Sequence, residues 1–175
     1  MKQVLAPTTM SFIFFLSAWL WAAEHEPGTV QQQHLFKIER SKNANIVQYD
    51  VRVLADGTLD PDKPVVGYWI RLAEDGRRMI LRFLEKRFVY GFKTSYDPAT
   101  NSVTMIMRAN FGRQMKVLET TDGYRAEIMI DGRDSLIDKI FVHASKKRFS
   151  GKIEYIELYG VDSVTGEDRF ERYVP

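Results

Sequence analysis

A mainly β, antiparallel fold is what this sequence predicts: a meander of about nine strands forming a barrel or a sandwich, with one packed α-helix. Three observations carry the expectation. Residues 46–54 alternate Val47, Tyr49, Val51 and Val53 with Gln48, Asp50 and Arg52, the period of two produced when one strand face is buried and the other wet. Turn residues recur roughly every eight to twelve positions, the spacing of short strands joined by hairpins. One stretch, 77–88, leaves that rhythm for a helical one, whereas a βαβ fold needs a helix between each pair of parallel strands.

The elements follow in chain order. Residues 1–23 carry Lys2, then an apolar run from Met10 to Ala23, and Glu24-His25-Glu26 follows, the order of a signal peptide. The run, about 14 residues, is short of the ~20 that a helix needs to cross a bilayer. Export to a periplasmic or secreted location is therefore expected, with no stable membrane span after processing and a membrane tether if the leader is uncut. Cutting after Ala23 or after Ala22 places Trp21 or Leu20 where a small residue is preferred, so the position of the cut stays open. Residues 24–33 read as a short polar lead-in, and 34–175 as a single β-rich domain.

Within that domain, 46–54 is the clearest strand. Residues 55–64 form a turn-rich loop, since Gly57 permits positive φ while Pro61 and Pro64 cannot donate to a ladder. Residues 65–72 resume as strand. Over 77–88, Met79, Ile80, Phe83, Leu84 and Phe88 line one side of a helix, which is expected to pack on the sheet, and Arg78, Arg82, Glu85 and Lys86 line the other. Strands 89–96 and 102–109 flank a turn at 97–101. Strands 115–120 and 124–130 flank Asp122-Gly123, a pair suited to a tight type I′ hairpin. Strands 136–144, 152–161 and 169–174 complete the set.

Composition narrows the chemistry. The 175 residues suffice for one domain with a real core. With 25 basic and 23 acidic side chains interspersed, no strong net field draws nucleic acid, and none is expected as a partner. The absence of cysteine removes thiol catalysis, thiolate metal sites, disulfides and a lipoprotein anchor. No G-x-S-x-G, H-E-x-x-H, P-loop or G-x-G-x-x-G pattern occurs. Of the three histidines, His143 ends an apolar strand beside Ser145 and Lys146-Lys147-Arg148, a solvated strand end in preference to an anion site. Asp56, Asp60 and Asp62 lack EF-hand spacing and read as turn carboxylates. Neither a metal nor another cofactor is expected, and no catalytic residue is nominated.

The aromatic residues point to a binding role. Side chains such as Tyr68, Trp69, Tyr90 and Tyr155 fill a core or, in a barrel, line a cup for an apolar ligand. With Asn43 and Asn45, whose amides orient a ligand by hydrogen bonds, they form the candidate ligand site. The segments Asn43-Ala-Asn-Ile-Val-Gln-Tyr-Asp50, Gly67-Tyr-Trp-Ile70, Glu85-Lys-Arg-Phe-Val-Tyr-Gly-Phe92 and Glu154-Tyr-Ile-Glu-Leu-Tyr-Gly160 together resemble a bacterial domain family of unknown function, DUF4833. The resemblance spans about residues 34–175; it implies an envelope or secreted setting, says nothing about a reaction and supplies no catalytic residues to carry over. The leading expectation is a non-enzymatic exported domain that holds a small or apolar ligand. The alternatives are an envelope interaction or structural protein without a ligand cavity, and a hydrolase built on His143 and nearby carboxylates.

Overall fold

The computed structural model describes residues 30–108, 113–145 and 152–175, so the expectations for the leader and for Lys146–Arg148 fall outside the described residues. Strands make up 63% of what is described. They run β1 (Gln31–Arg40), β2 (Asn43–Val53), β3 (Val65–Ile70), β4 (Arg78–Ile80), then helix α1 (Phe83–Phe88). There follow β5 (Phe92–Asp97), β6 (Ser102–Met107), β7 (Gln114–Thr120), β8 (Gly123–Ile130), β9 (Arg133–Ala144), β10 (Ile153–Asp162) and β11 (Asp168–Tyr173). All eleven belong to one curled, open sheet with the path β4-β3-β2-β1-β9-β8-β7-β6-β5, to which β10 and β11 add on the far side of β9.

The mainly β expectation holds; the open half-barrel meets the expected barrel or sandwich only roughly, and three further differences appear. Two strands beyond the nine appear, β1 and β4. The sheet is also not purely antiparallel, because Lys37–Arg40 of β1 pair in parallel with Lys139–Val142 of β9. Strand β9 is the branch point. Its start, Arg133–Leu136, pairs with β8, its later part with β1, and its other edge with β10 throughout. The two hairpin runs β1–β4 and β5–β8 thus diverge from one strand, and the core lies between them.

The third difference is the helix. Where 77–88 is expected as one packed helix, Arg78–Ile80 instead pair with Tyr68–Ile70 of β3, and α1 is only six residues long with none buried. The physical reason is competition for backbone partners: the β3 edge offers ladder groups that bind residues 78–80, and the helix starts only after Arg82. There the Glu85 carboxylate accepts the Arg82 N–H at 2.7 Å and stabilises the first turn.

Packing follows the alternation read from the sequence. Val47, Tyr49 and Val51 are fully buried, and Phe36 stacks on Tyr49 with ring centroids 4.7 Å apart. A bulge between His34 and Phe36 turns both Leu35 and Phe36 inward. Opposite Tyr49 in the ladder stands Gly67, and a Cβ there would lie 2.9 Å from the Tyr49 ring, so only glycine lets the phenol cross β3. The Tyr49 hydroxyl donates to the Tyr90 carbonyl at 2.8 Å, tying β2 to the start of β5.

Candidate functional site

The two strands at the ends of the sheet path, β4 and β5, are chain neighbours joined by α1. The sheet does not close between them, and the opening is a cleft of about 1030 Å³. One wall is formed by Lys63–Tyr68, the other by Gly91, Phe92, Thr94 and Arg108, with β4 and α1 along the rim. Buried Val65, Leu81 and Tyr90 supply an apolar floor. Lys63, Arg78, Lys86, Arg87 and Arg108 bring five cations to the lining, against the single carboxylate of Asp62. An apolar interior under a cationic rim suits a ligand with an apolar body and an anionic head.

Local chain geometry holds this opening in shape. A Cβ at Gly91 would fall 1.7 Å from the Lys86 carbonyl oxygen, so glycine is required for the chain to leave α1 and enter β5. Trp69 sits behind the rim, edge-on to Tyr90 at 5.0 Å, and its indole N–H donates to Glu85 at 3.1 Å. Glu85, which also receives the Arg82 N–H, therefore anchors the helix to β3.

Beside the rim lies a polar cluster that sequence reading missed. Asp50, on the wet face of β2, has only 3% of its side chain exposed. It accepts hydrogen bonds from the Tyr68 hydroxyl and, at 2.8 Å, from the Gln48 amide, with His34 Nδ1 at 3.4 Å. Arg78 reaches within 3.8 Å of the carboxylate, lies over the Tyr68 ring at 4.5 Å and donates to Gln32 at 2.9 Å. Burial alone would raise the pKa of Asp50; hydrogen bonds from His34, Tyr68 and Gln48 outweigh it and hold the group below the usual carboxylate range. Burial, reinforced by the Asp50 hydrogen bond, pushes the Tyr68 phenol well above its ordinary value. Tyr68 is therefore a neutral donor locked on Asp50. Strand alternation puts Asp50 on the solvent face, and only the neighbours across β1, β3 and β4 cover it, so the pattern held no signal of its burial.

Of the six candidate ligand residues, the structure brings three together. Tyr68 and Tyr90 line the cleft, and Trp69 stands behind them. Asn43 and Asn45 sit at the β1–β2 turn, where the Asn43 side chain accepts the Asn45 N–H and the Asn45 side chain accepts the Ala73 N–H, each at 3.0 Å. Both act as local braces, away from the cleft lining. Tyr155 lies on β10, stacked on His143 at 4.6 Å with the Arg172 guanidinium 4.5 Å from its ring.

His143 Nε2 is 3.3 Å from Glu154, with side chains 33% and 49% exposed, so this pair is open to solvent and does not line the cleft. The loop aspartates serve their turns: Asp56 accepts the Thr58 N–H, and Asp60 accepts the Asp62 and Lys63 N–H groups and pairs with Arg52 at 3.1 Å. Among the described residues no cluster of three or more His, Asp or Glu side chains is arranged to hold a metal ion, and no helix is long and apolar enough to cross a membrane.

Neither the curated proteins nor the solved structures include a match to this chain. The model of one family does match, over residues 36–172, from the middle of β1 to near the end of β11 and so across the β9 branch and all of the cleft and the Asp50 cluster but Gln32 and His34: the chain belongs to the family described as Domain of unknown function (DUF4833).

Proposed function

We propose that the domain is a non-enzymatic, exported binding protein that holds a small ligand, apolar in body and anionic at one end, in the cleft between β3–β4 and β5. The observation that carries this reading is the cleft itself: a volume of about 1030 Å³, at the upper end of the range typical of small-molecule sites, with an apolar floor and five cations against one acid in its lining. In this reading Val65, Leu81 and Phe92 contact the apolar body, while Lys63 and Arg108 meet the anionic end. Tyr68 contributes its ring rather than its hydroxyl, which Asp50 already engages. Export rests on the order of charges and apolar residues in 1–23.

Native mass spectrometry of the protein purified from its own source tests both parts. A released non-covalent adduct of anionic, apolar character and a mass lacking the leader are the expected results. Empty protein that also fails to take up a fluorescent long-chain carboxylate sinks the binding reading. A second reading, an envelope interaction protein without a ligand, draws support from the exposed apolar side chains of β4 and α1.

A further inference from the structure

The segment from β4 to the end of α1 presents its apolar side chains outward. Ile80, Phe83, Leu84 and Phe88 are 76%, 71%, 64% and 63% exposed; Ile80 and Phe83 line the cleft, and Leu84 and Phe88 share α1 with Phe83. Such side chains are ordinarily buried, and a run of them on one protrusion marks a surface that meets something. The charge around them is one-sided. Residues 77–93 contain six cations, Arg77, Arg78, Arg82, Lys86, Arg87 and Lys93, and one acid, Glu85. Glu85 is turned to the Trp69 indole and the Arg82 backbone, so it does not offset them at the surface. Among the described residues, Arg82, Lys86, Arg87 and Lys93 have no acidic partner within 4.0 Å. The whole chain carries a net charge of only +2, so the positive charge is concentrated here.

We propose that this protrusion docks on an anionic lipid surface, with Phe83, Leu84 and Phe88 in the headgroup–acyl boundary and Arg82, Lys86 and Arg87 on the phosphates. The interleaving within 82–88, Arg-Phe-Leu-Glu-Lys-Arg-Phe, decides for lipid over a protein partner. The core of a protein interface is depleted in charge, whereas an interfacial segment sets aromatic and leucine side chains beside cations whose long stems reach up to the headgroups. Phe83, Lys86 and Arg87 also line the cleft, whereas Arg82, Leu84 and Phe88 do not, so a probe at Leu84 reads the lipid contact and not a ligand in the cleft. Its consequence is that the cleft mouth faces the bilayer.

The absence of native cysteine allows a single label at a chosen position in the whole exported chain. A nitrobenzoxadiazole label on Leu84→Cys is compared with one on Val164→Cys, a 91% exposed residue in the distant β10–β11 turn. Vesicles containing phosphatidylglycerol are expected to blue-shift and brighten the Leu84 label and leave the Val164 label unchanged, while pure phosphatidylcholine gives a far weaker response. Adding Lys86→Gln and Arg87→Gln should weaken that partition roughly 25-fold, from about fivefold per cation removed near an anionic surface. A silent Leu84 label, an equal response to both lipids, or an equal response at both positions overturns the proposal. A blue shift that grows with protein concentration in the absence of vesicles assigns the surface to a second copy of the chain and overturns it as well.

Discussion

Asp50 shows how one side chain organises its surroundings. Its carboxylate is a shared acceptor for donors from β1, β2 and β3, and Arg78 of β4 closes over the group. Removing the acceptor leaves the Tyr68 hydroxyl and the Gln48 amide without it in a site that solvent barely reaches. Asp50→Ala should therefore cost about 3 kcal/mol, in the range for leaving buried polar or charged groups unpaired. Equilibrium urea unfolding measures the loss, and a change below about 0.5 kcal/mol, the scale of an ordinary surface substitution, contradicts this account. A period-two pattern tells which face Asp50 is on. It is silent about which long-range partners cover that face.

At the scale of elements, α1 is held from behind and free in front. Glu85 ties it to β3 through Trp69, Gly91 allows the tight exit into β5, and no helical residue is buried. The apolar spacing over 77–88 is present in the sequence, yet its expected partner, the sheet, does not cover it. Spacing reports that side chains share a side and leaves open whether that side meets protein. Two substitutions separate the cases. Leu84→Ser should shift stability by no more than about 0.5 kcal/mol, since the side chain already faces solvent. Gly91→Ala should destabilise by more than about 1 kcal/mol, because its methyl group would collide with the Lys86 carbonyl oxygen. Thermal unfolding of the pair checks the order, and the reverse order refutes it.

Across the whole molecule, carboxylates with lowered pKa values fasten strands to one another. Glu171 of β11 accepts from Arg113 at 2.6 Å and from the Asp131 N–H at 2.7 Å, which joins β11 to the start of β7 and the β8–β9 turn. Those hydrogen bonds, Arg113 foremost, lower its pKa. Asp162 accepts the Thr165 and Val164 N–H groups and pairs with Arg169, and these hold it at about 2. For Glu157 burial would act upward, and bonds from Tyr159 and Arg172 prevail and lower it. Each group binds its proton less readily when folded than when unfolded. The stability that they contribute is fully present above the ordinary carboxylate range near pH 4 and is lost as pH falls through the folded values toward about 2. The unfolding temperature should hold steady from neutral pH down to about 5 and then fall steeply between about 4 and 2. Calorimetry across that range checks the direction; a protein equally stable at both ends excludes this group of carboxylates as fasteners.

Local sequence was enough to read the mainly β class, most of the strands and their turns. These follow from local facts: the alternation at 46–54, the Asp122-Gly123 hairpin, and proline and glycine where a ladder cannot run. Tyr68, Trp69 and Tyr90 stand among the six candidate ligand residues on the ground that aromatic side chains line a cup when strands form a barrel. The parallel β1–β9 junction, the pairing of 78–80 with β3, the burial of Asp50 and the position of Asn43, Asn45 and Tyr155 outside the cleft lining emerged with the fold. Each of these depends on contacts between residues distant along the chain, where a free strand edge or a neighbouring side chain outbids the local preference, and no window of adjacent residues contains that information.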